Sequence, residues 1–291
     1  MRNRVRLVRA FTMIEIIVVT AIVAALMALL LPVFVSARAA AQESACVSNL
    51  KNMSTAYTLY ATDYDDTFCP PVLFSNLALY PLDGWYGALK SATEPVDLRS
   101  GLLYPYIEDT GIFDCPSIAV ITDLSSQDRS YGLNDQLCIT TVNLRTFDPT
   151  FHTVNSSDVE IPAETIMFGD CAENVAGPQV TRRAIIQFNS EFSNGVSRGF
   201  LHSRHVGRVA TVSWIDGHVK AMPLSYNTRK DGAYSAEWEQ ANGLGDLLKF
   251  PRQYAGPTGT KPSVQDMYYY LVNKSVDPSA GLDTLTNWLV L

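Results

Sequence analysis

Residues 11–35 read FTMIEIIVVTAIVAALMALLLPVFV. From Ile16 to Leu31 only Thr20 is polar. As a helix, the segment is long enough to cross a hydrocarbon core of about 30 Å. Its apolar run exceeds the roughly 7–15 residues of a secretory signal core. The Ala-rich stretch 37–41 behind it reads as more helix, not as a small-x-small cleavage site. A carboxylate, Glu15, lies near the start of the run. An acid inside a membrane segment costs a few kcal/mol unless it is paired. Two readings of Glu15 follow. Either it sits at the interface and snorkels, or it meets a positive partner, which a cut just before Phe11 would create as a new α-amino group. The preceding residues 1–10, MRNRVRLVRA, hold four Arg and no acid. Such a basic flank stays cytoplasmic, so residues beyond 35 face outward.

The run Ala10-Phe11-Thr12-Met13-Ile14-Glu15 resembles the processing site of prepilins: a small residue, then Phe, then Glu five positions into the mature chain. Prepilins usually carry Gly before the cut; here Ala10 takes its place. The resemblance implies cleavage between Ala10 and Phe11 by a prepilin peptidase, N-methylation of Phe11, and neutralisation of a neighbouring subunit's Phe11 amine by Glu15 during assembly. Pro32 falls where pilin helices often carry a proline, which removes one helix hydrogen bond and kinks the helix. The chain thus resembles a minor or specialised subunit of a bacterial type IV pilus or type II secretion pseudopilus. Its implied partners are the peptidase, other pilin or pseudopilin subunits, the inner-membrane assembly machinery and membrane lipid. The implied location is single-pass in the inner membrane with a periplasmic or extracellular head, then a periplasmic or cell-surface filament. The competing reading is a membrane-tethered, extracytoplasmic binding or adhesion protein that does not polymerise.

The helix is expected to continue past Val35, because residues 36–64 contain no Gly or Pro. Cys46, Leu50, Met53, Tyr57, Tyr60 and Tyr64 recur at alternating spacings of four and three, an amphipathic stripe. A helix from Phe11 to about Tyr64 would measure on the order of 80 Å. Asp63, Asp65 and Asp66 close it, as a solvated turn or as a weak calcium candidate whose spacing is not that of an EF-hand loop. Residues 67–160, rich in Pro, Gly, Tyr and Asp, read as a long irregular insertion with short helices or strands, Gly101–Ile107 as a helix. Thr165–Phe168 and Ala184–Phe188 read as short strands. Val209–Ile215 and His218–Met222 flank Asp216-Gly217, a preferred two-residue type I′ turn. That turn pairs Ile215 with His218, Trp214 with Val219, Ser213 with Lys220 and Val212 with Ala221. It collects Ala210, Val212, Trp214, Val219 and Ala221 on one face, expected to pack on the helix stripe, and Thr211, Ser213, His218 and Lys220 on the other. The expected fold class is α+β and pilin-like: a long N-terminal helix on an antiparallel sheet. The expected boundaries are a leader 1–10, a transmembrane half 11–35, an amphipathic half 36–66, the insertion 67–160, a sheet head 161–223 with the hairpin at 209–222, and a C-terminal extension 224–291 with helix at Ser235–Gln240.

Cys115-Pro116-Ser117 and Tyr131-Gly132-Leu133-Asn134 resemble elements of a large bacterial group of pilin-like proteins. So does His205 followed by Asp216-Gly217, although ten residues separate them here where that group has about nine. His202, His205, His218 and Asp216 also lie close in sequence. They suit either a zinc site or, more simply, a loop hydrogen bond from His205 and turn chemistry from Asp216; no metal or other cofactor is assigned. The five Cys include no C-x-x-C pair. Outside the cytoplasm disulfides are permitted. A Cys46–Cys115 bond would staple the insertion to the helix; otherwise Cys46 is a small buried apolar residue. No Ser-His-Asp, phosphate-loop or paired acid/base motif points to an enzyme. The net charge of −7 argues against non-specific nucleic-acid binding.

Overall fold

The computed structural model describes residues 11–74, 82–91, 94–120, 129–142, 149–175, 179–182, 184–186, 199–225, 240–245 and 247. The chain divides into two units, Met1–Ala41 and Gln42–Leu291. Helix α1 spans Met13–Asp63. Within the first unit every residue from Phe11 to Arg38 is exposed, and this stretch is long and apolar enough to cross a membrane. Pro32 lies inside the helix; without an N–H it leaves the Ala28 carbonyl without its i+4 donor. Ser36 Oγ donates nearby to the carbonyls of Pro32 and Val33, at 3.1 and 2.9 Å.

In the second unit the α1 stripe is inward. Cys46, Leu50, Met53, Tyr57, Tyr60 and Ala61 are buried. Complete burial of a side chain such as Leu50 or Met53 stabilises by about 1.5–3 kcal/mol. Tyr64 departs from the expected stripe: it lies just past the helix end, exposed, and stacks on Tyr60 at 4.2 Å. The helix stops where Asp65 and Asp66 take left-handed backbone, with φ of 51° and 59°.

Strands β1 (Val72–Phe74), β2 (Leu82–Gly84) and β3 (Ala88–Leu89) make a small antiparallel sheet. Helix α2 covers Tyr104–Ile107, the end of the expected helical stretch. Strand β4 is Tyr131–Asn134, and β5 (Cys138–Val142) pairs with β6 (Pro149–Thr153) as a separate ribbon. Then follow β7 (Ile166–Val175), β8 (Gln179–Arg182), β9 (Ile185–Ile186), β10 (Gly199–His202), β11 (Val209–Trp214), β12 (Val219–Pro223) and β13 (Leu244–Gly245). The main sheet runs β12-β11-β7-β10-β13, with β4 and β8 also on β7 and β9 on β4. Among the described residues all pairs are antiparallel except β4 with β9. The architecture is therefore α+β with a mixed sheet. Strand β4, from within 67–160, pairs with β7, and β13, from beyond 223, pairs with β10. Ser235–Gln240 falls outside the described residues apart from Gln240, and the expected strand Ala184–Phe188 is described only to Ile186.

One sheet face meets α1. Tyr131, Leu133 and Phe168 join Leu50, Met53 and Tyr57 in one core, and Tyr57 meets Phe168 edge-on at 5.4 Å. The opposite face builds a second core from Ile166, Cys171, Ile186, Leu201, Ala210, Val212 and Trp214.

The hairpin corrects the expected register. Ser213 pairs with Val219, Val212 with Lys220 and Thr211 with Ala221, one residue away from the two-residue turn. A type I′ turn needs positive φ at both Asp216 and Gly217. Only Gly217 has it, at 83°, because Asp216 uses its carboxylate to accept from His218 N at 3.0 Å. The loop is therefore three residues long, closed by Gly217 N→Trp214 O at 2.8 Å and Trp214 N→His218 O at 3.0 Å. A one-residue slip exchanges the faces of one strand relative to the other. Trp214 consequently stacks on His218 at 5.3 Å. Ala210, Val212 and Trp214 line the second core, not the α1 stripe, while Val219 packs toward α1.

Candidate functional sites

The first candidate is the start of α1. Thr12 is the residue before the helix, and Glu15 is its third residue. Thr12 N and Oγ1 both donate to Glu15 Oε2 at 2.8 Å, and Glu15 N donates to Thr12 Oγ1 at 3.3 Å. This reciprocal pattern is a capping box, Thr-x-x-Glu, which satisfies two orphan donors of the first turn. The sequence carries that signal openly, and it gives Glu15 a local partner that the membrane-acid reading did not weigh. Ala10 lies outside the described residues; Phe11 is exposed.

The second candidate is a buried polar cluster between α1 and the sheet. Cys46 on α1 and Cys115 before Pro116 are joined by a disulfide, with Cα atoms 5.3 Å apart. It closes 69 residues of chain, worth about 4 kcal/mol in the loop-entropy account. Beside it stands His205, with Nε2 at 3.7 Å from Cys115 Sγ and 2.9 Å from Asp170 Oδ2. Asp170 projects from β7 toward α1, is fully buried and also accepts from Thr211 N at 2.7 Å. Arg204 Nε lies 3.6 Å from Asp170 Oδ1, and Arg204 Nη2 donates to the Cys171 carbonyl at 2.7 Å. Burial opposes the Asp170 charge. The Arg204 guanidinium, the His205 ring and the Thr211 N–H outweigh it and hold the carboxyl below its ordinary range. An ionised Asp170 only accepts, so His205 carries its proton on Nε2. That leaves Nδ1 to accept from Ser117 Oγ at 3.5 Å. A tight turn sets the ring: Gly207 and Arg208 adopt φ of 81° and 58°, and His205 bridges Val209.

Three sequence motifs thus meet here. Cys115 and Ser117 of the Cys-Pro-Ser run both face His205. From β4, Tyr131 reaches Asn49 of α1 with its hydroxyl 3.5 Å from Nδ2; burial, then the Asp170 charge, push that phenol well above its ordinary value. Gly132 is required because a Cβ there would come within 2.7 Å of Cys171 Cβ. Asp170 and Arg204, which complete the cluster, carried no motif. The one available hint was Arg204 next to His205.

The other nominated residues go elsewhere. Asp216 and Gly217 cap the far end of β11, a six-residue strand from His205, about 20 Å of chain. There Asp216 pairs with His218, 2.6 Å apart and exposed, and Gly217 O accepts from Lys51 Nζ at 2.6 Å. His202 sits with Asn242 and Gly243. Burial, then Arg204, push its pKa down to about 3. The four residues considered for zinc therefore do not converge. Asp63 accepts from the Tyr106 hydroxyl at 2.9 Å; desolvation and that carboxylate raise the phenol to about 12. Cys46, Cys115 and His205 present ligand atoms within 4.8 Å of one another, but a disulfide offers no thiolate to a metal. Comparison with family models, with curated proteins and with solved structures gives no match.

Proposed function

We propose that the chain is a filament subunit, minor or specialised, of a type IV pilus or type II secretion pseudopilus, processed before Phe11 and assembled through α1. The observation that carries this reading is the division of labour along one helix. Residues 16–35 are exposed and, apart from Thr20, apolar on every side, while one face of α1 from Cys46 to Ala61 is buried under a sheet. An apolar surface of that size needs lipid or other helices around it. A bundle of identical helices satisfies it, with the Glu15 carboxylate neutralising the α-amino group of a neighbour's Phe11. The head then stays outside the cytoplasm, where the Cys46–Cys115 disulfide persists.

A second reading keeps the anchor and drops the filament. It is favoured by the capping box, which gives Glu15 a purpose within its own chain. Shearing filaments from native cells separates the two. Methylated protein starting at Phe11 in the sheared fraction supports the first reading; mature protein confined to the membrane fraction overturns it.

A further inference from the structure

We propose that Cys46, Cys115 and His205 form, in the reduced chain, a binding site for a thiophilic divalent cation of the Zn²⁺ class, closed when the two sulfurs join. The inference rests on the core of the second unit and not on the filament reading. Two thiolates and one imidazole are the donor set that zinc prefers. Cys115 Sγ and His205 Nε2 lie 3.7 Å apart. Adjacent ligands on one tetrahedral zinc, at about 2.3 and 2.1 Å from the metal, are separated by about 3.6 Å. Asp170 Oδ2, 2.9 Å from the same nitrogen, is the nearest oxygen for the fourth position. All four side chains are buried: Cys46 on α1, Cys115 just before Pro116, His205 in the turn before β11 and Asp170 on β7.

The protons and charges close. Reduction of the disulfide by a phosphine or dithiol delivers two electrons, takes up two protons and leaves two thiols while the reductant is oxidised. The cation then displaces those two protons. His205 must free Nε2, which it does by moving its proton to Nδ1, where Ser117 Oγ turns from donor to acceptor. That is the second-shell bond a zinc-ligating His ordinarily makes. One dication, two thiolates and the Asp170–Arg204 ion pair sum to a neutral buried cluster, so no lone charge is stranded. The oxidised and metal-bound states exclude each other, and the tautomer of His205 differs between them.

The test uses the full chain in detergent, reduced with a phosphine under argon, freed of reductant and titrated with Co²⁺. The expected result is one Co²⁺ per chain with the intense visible bands of tetrahedral cobalt and thiolate-to-cobalt charge transfer, displaced by Zn²⁺, and no uptake by the oxidised chain. His205→Gln should weaken binding by about 10-fold or more and shift the ligand-field bands. Cys46→Ser with Cys115→Ser should abolish them, while Cys69→Ser should not. Far-UV circular dichroism accompanies each titration. The proposal is overturned if the reduced, folded chain takes no Co²⁺, or if the spectrum is unchanged in His205→Gln. It also fails if the double variant binds equally, or if reduction unfolds the head and metal does not restore it.

Discussion

The Glu15 carboxylate accepts both the backbone N–H and the hydroxyl of Thr12, each at 2.8 Å. One side chain therefore has two candidate tasks: starting its own helix and neutralising a neighbour's terminus. Glu15→Gln separates them, because Gln serves in a capping box but carries no charge. If the charge drives assembly, Glu15→Gln and Glu15→Ala should both reduce recovery in sheared filaments to background. Wild-type recovery from Glu15→Gln, with loss only in Glu15→Ala, would assign Glu15 to capping alone.

The mature chain should begin at methylated Phe11. Intact mass of protein purified from native membranes measures this directly; a mature terminus near Ala40 would mean a conventional signal peptide.

At the hairpin, Gly217→Ala should destabilise the head by about 1 kcal/mol, since only Gly occupies left-handed backbone without cost. Gly217→Asn should cost less. Asp216→Gly would help a two-residue turn. Here it should lower the melting temperature, because it removes the acceptor for His218 N and Nδ1.

Gly132→Ala should cost about 1–3 kcal/mol by overpacking, since the new Cβ would press on Cys171 and on Ile186 Cγ1, 2.9 Å away. A urea midpoint equal to that of the unsubstituted chain would mean that β4 and β7 can separate without penalty.

Acid should weaken the fold before Asp170 titrates. His202 is held neutral down to about pH 3 in the folded chain, whereas it protonates near 6.5 when unfolded. Between those values the unfolded state binds the extra proton. Stability therefore falls as pH drops below about 6.5, by up to about 1.4 kcal/mol per pH unit. Asp170, whose folded pKa is depressed, adds its loss only below about pH 4. Urea midpoints from pH 7 to pH 4.5 should slope less in His202→Gln than in the unsubstituted chain.

Periodicity made α1 legible. Spacings of three and four from Cys46 to Tyr60 commit one helix face to burial whatever it meets, and an unbroken apolar run declares itself by length. The capping box was equally local and equally readable. Strand positions could be read from turn residues and β-branched runs, so all but the first residue of Thr165–Phe168 and all but the last of Val209–Ile215 fall on β7 and β11. Which face those strands would bury was beyond the pattern. It hinges on whether one residue, Asp216, takes left-handed backbone, and the Asp216–His218 contact decides that. Four residues carry too little period to mark Tyr131–Asn134 as a strand within the insertion; β7 on one side and β9 on the other make it one.

By itself, the sequence determined an apolar N-terminal helix that opens on Thr12 and Glu15 and continues as a one-sided helix through Tyr60, since helix periodicity and capping act within a few residues of chain. Only the tertiary structure decided that His205 belongs with Asp170, Arg204 and the Cys46–Cys115 disulfide instead of with Asp216-Gly217. Those partners lie 35 to 159 residues away from His205 along the chain, apart from adjacent Arg204. What joins them is the need of a buried carboxylate for a cation and hydrogen-bond donors, a demand that exists only after β7, β11 and α1 have closed around it.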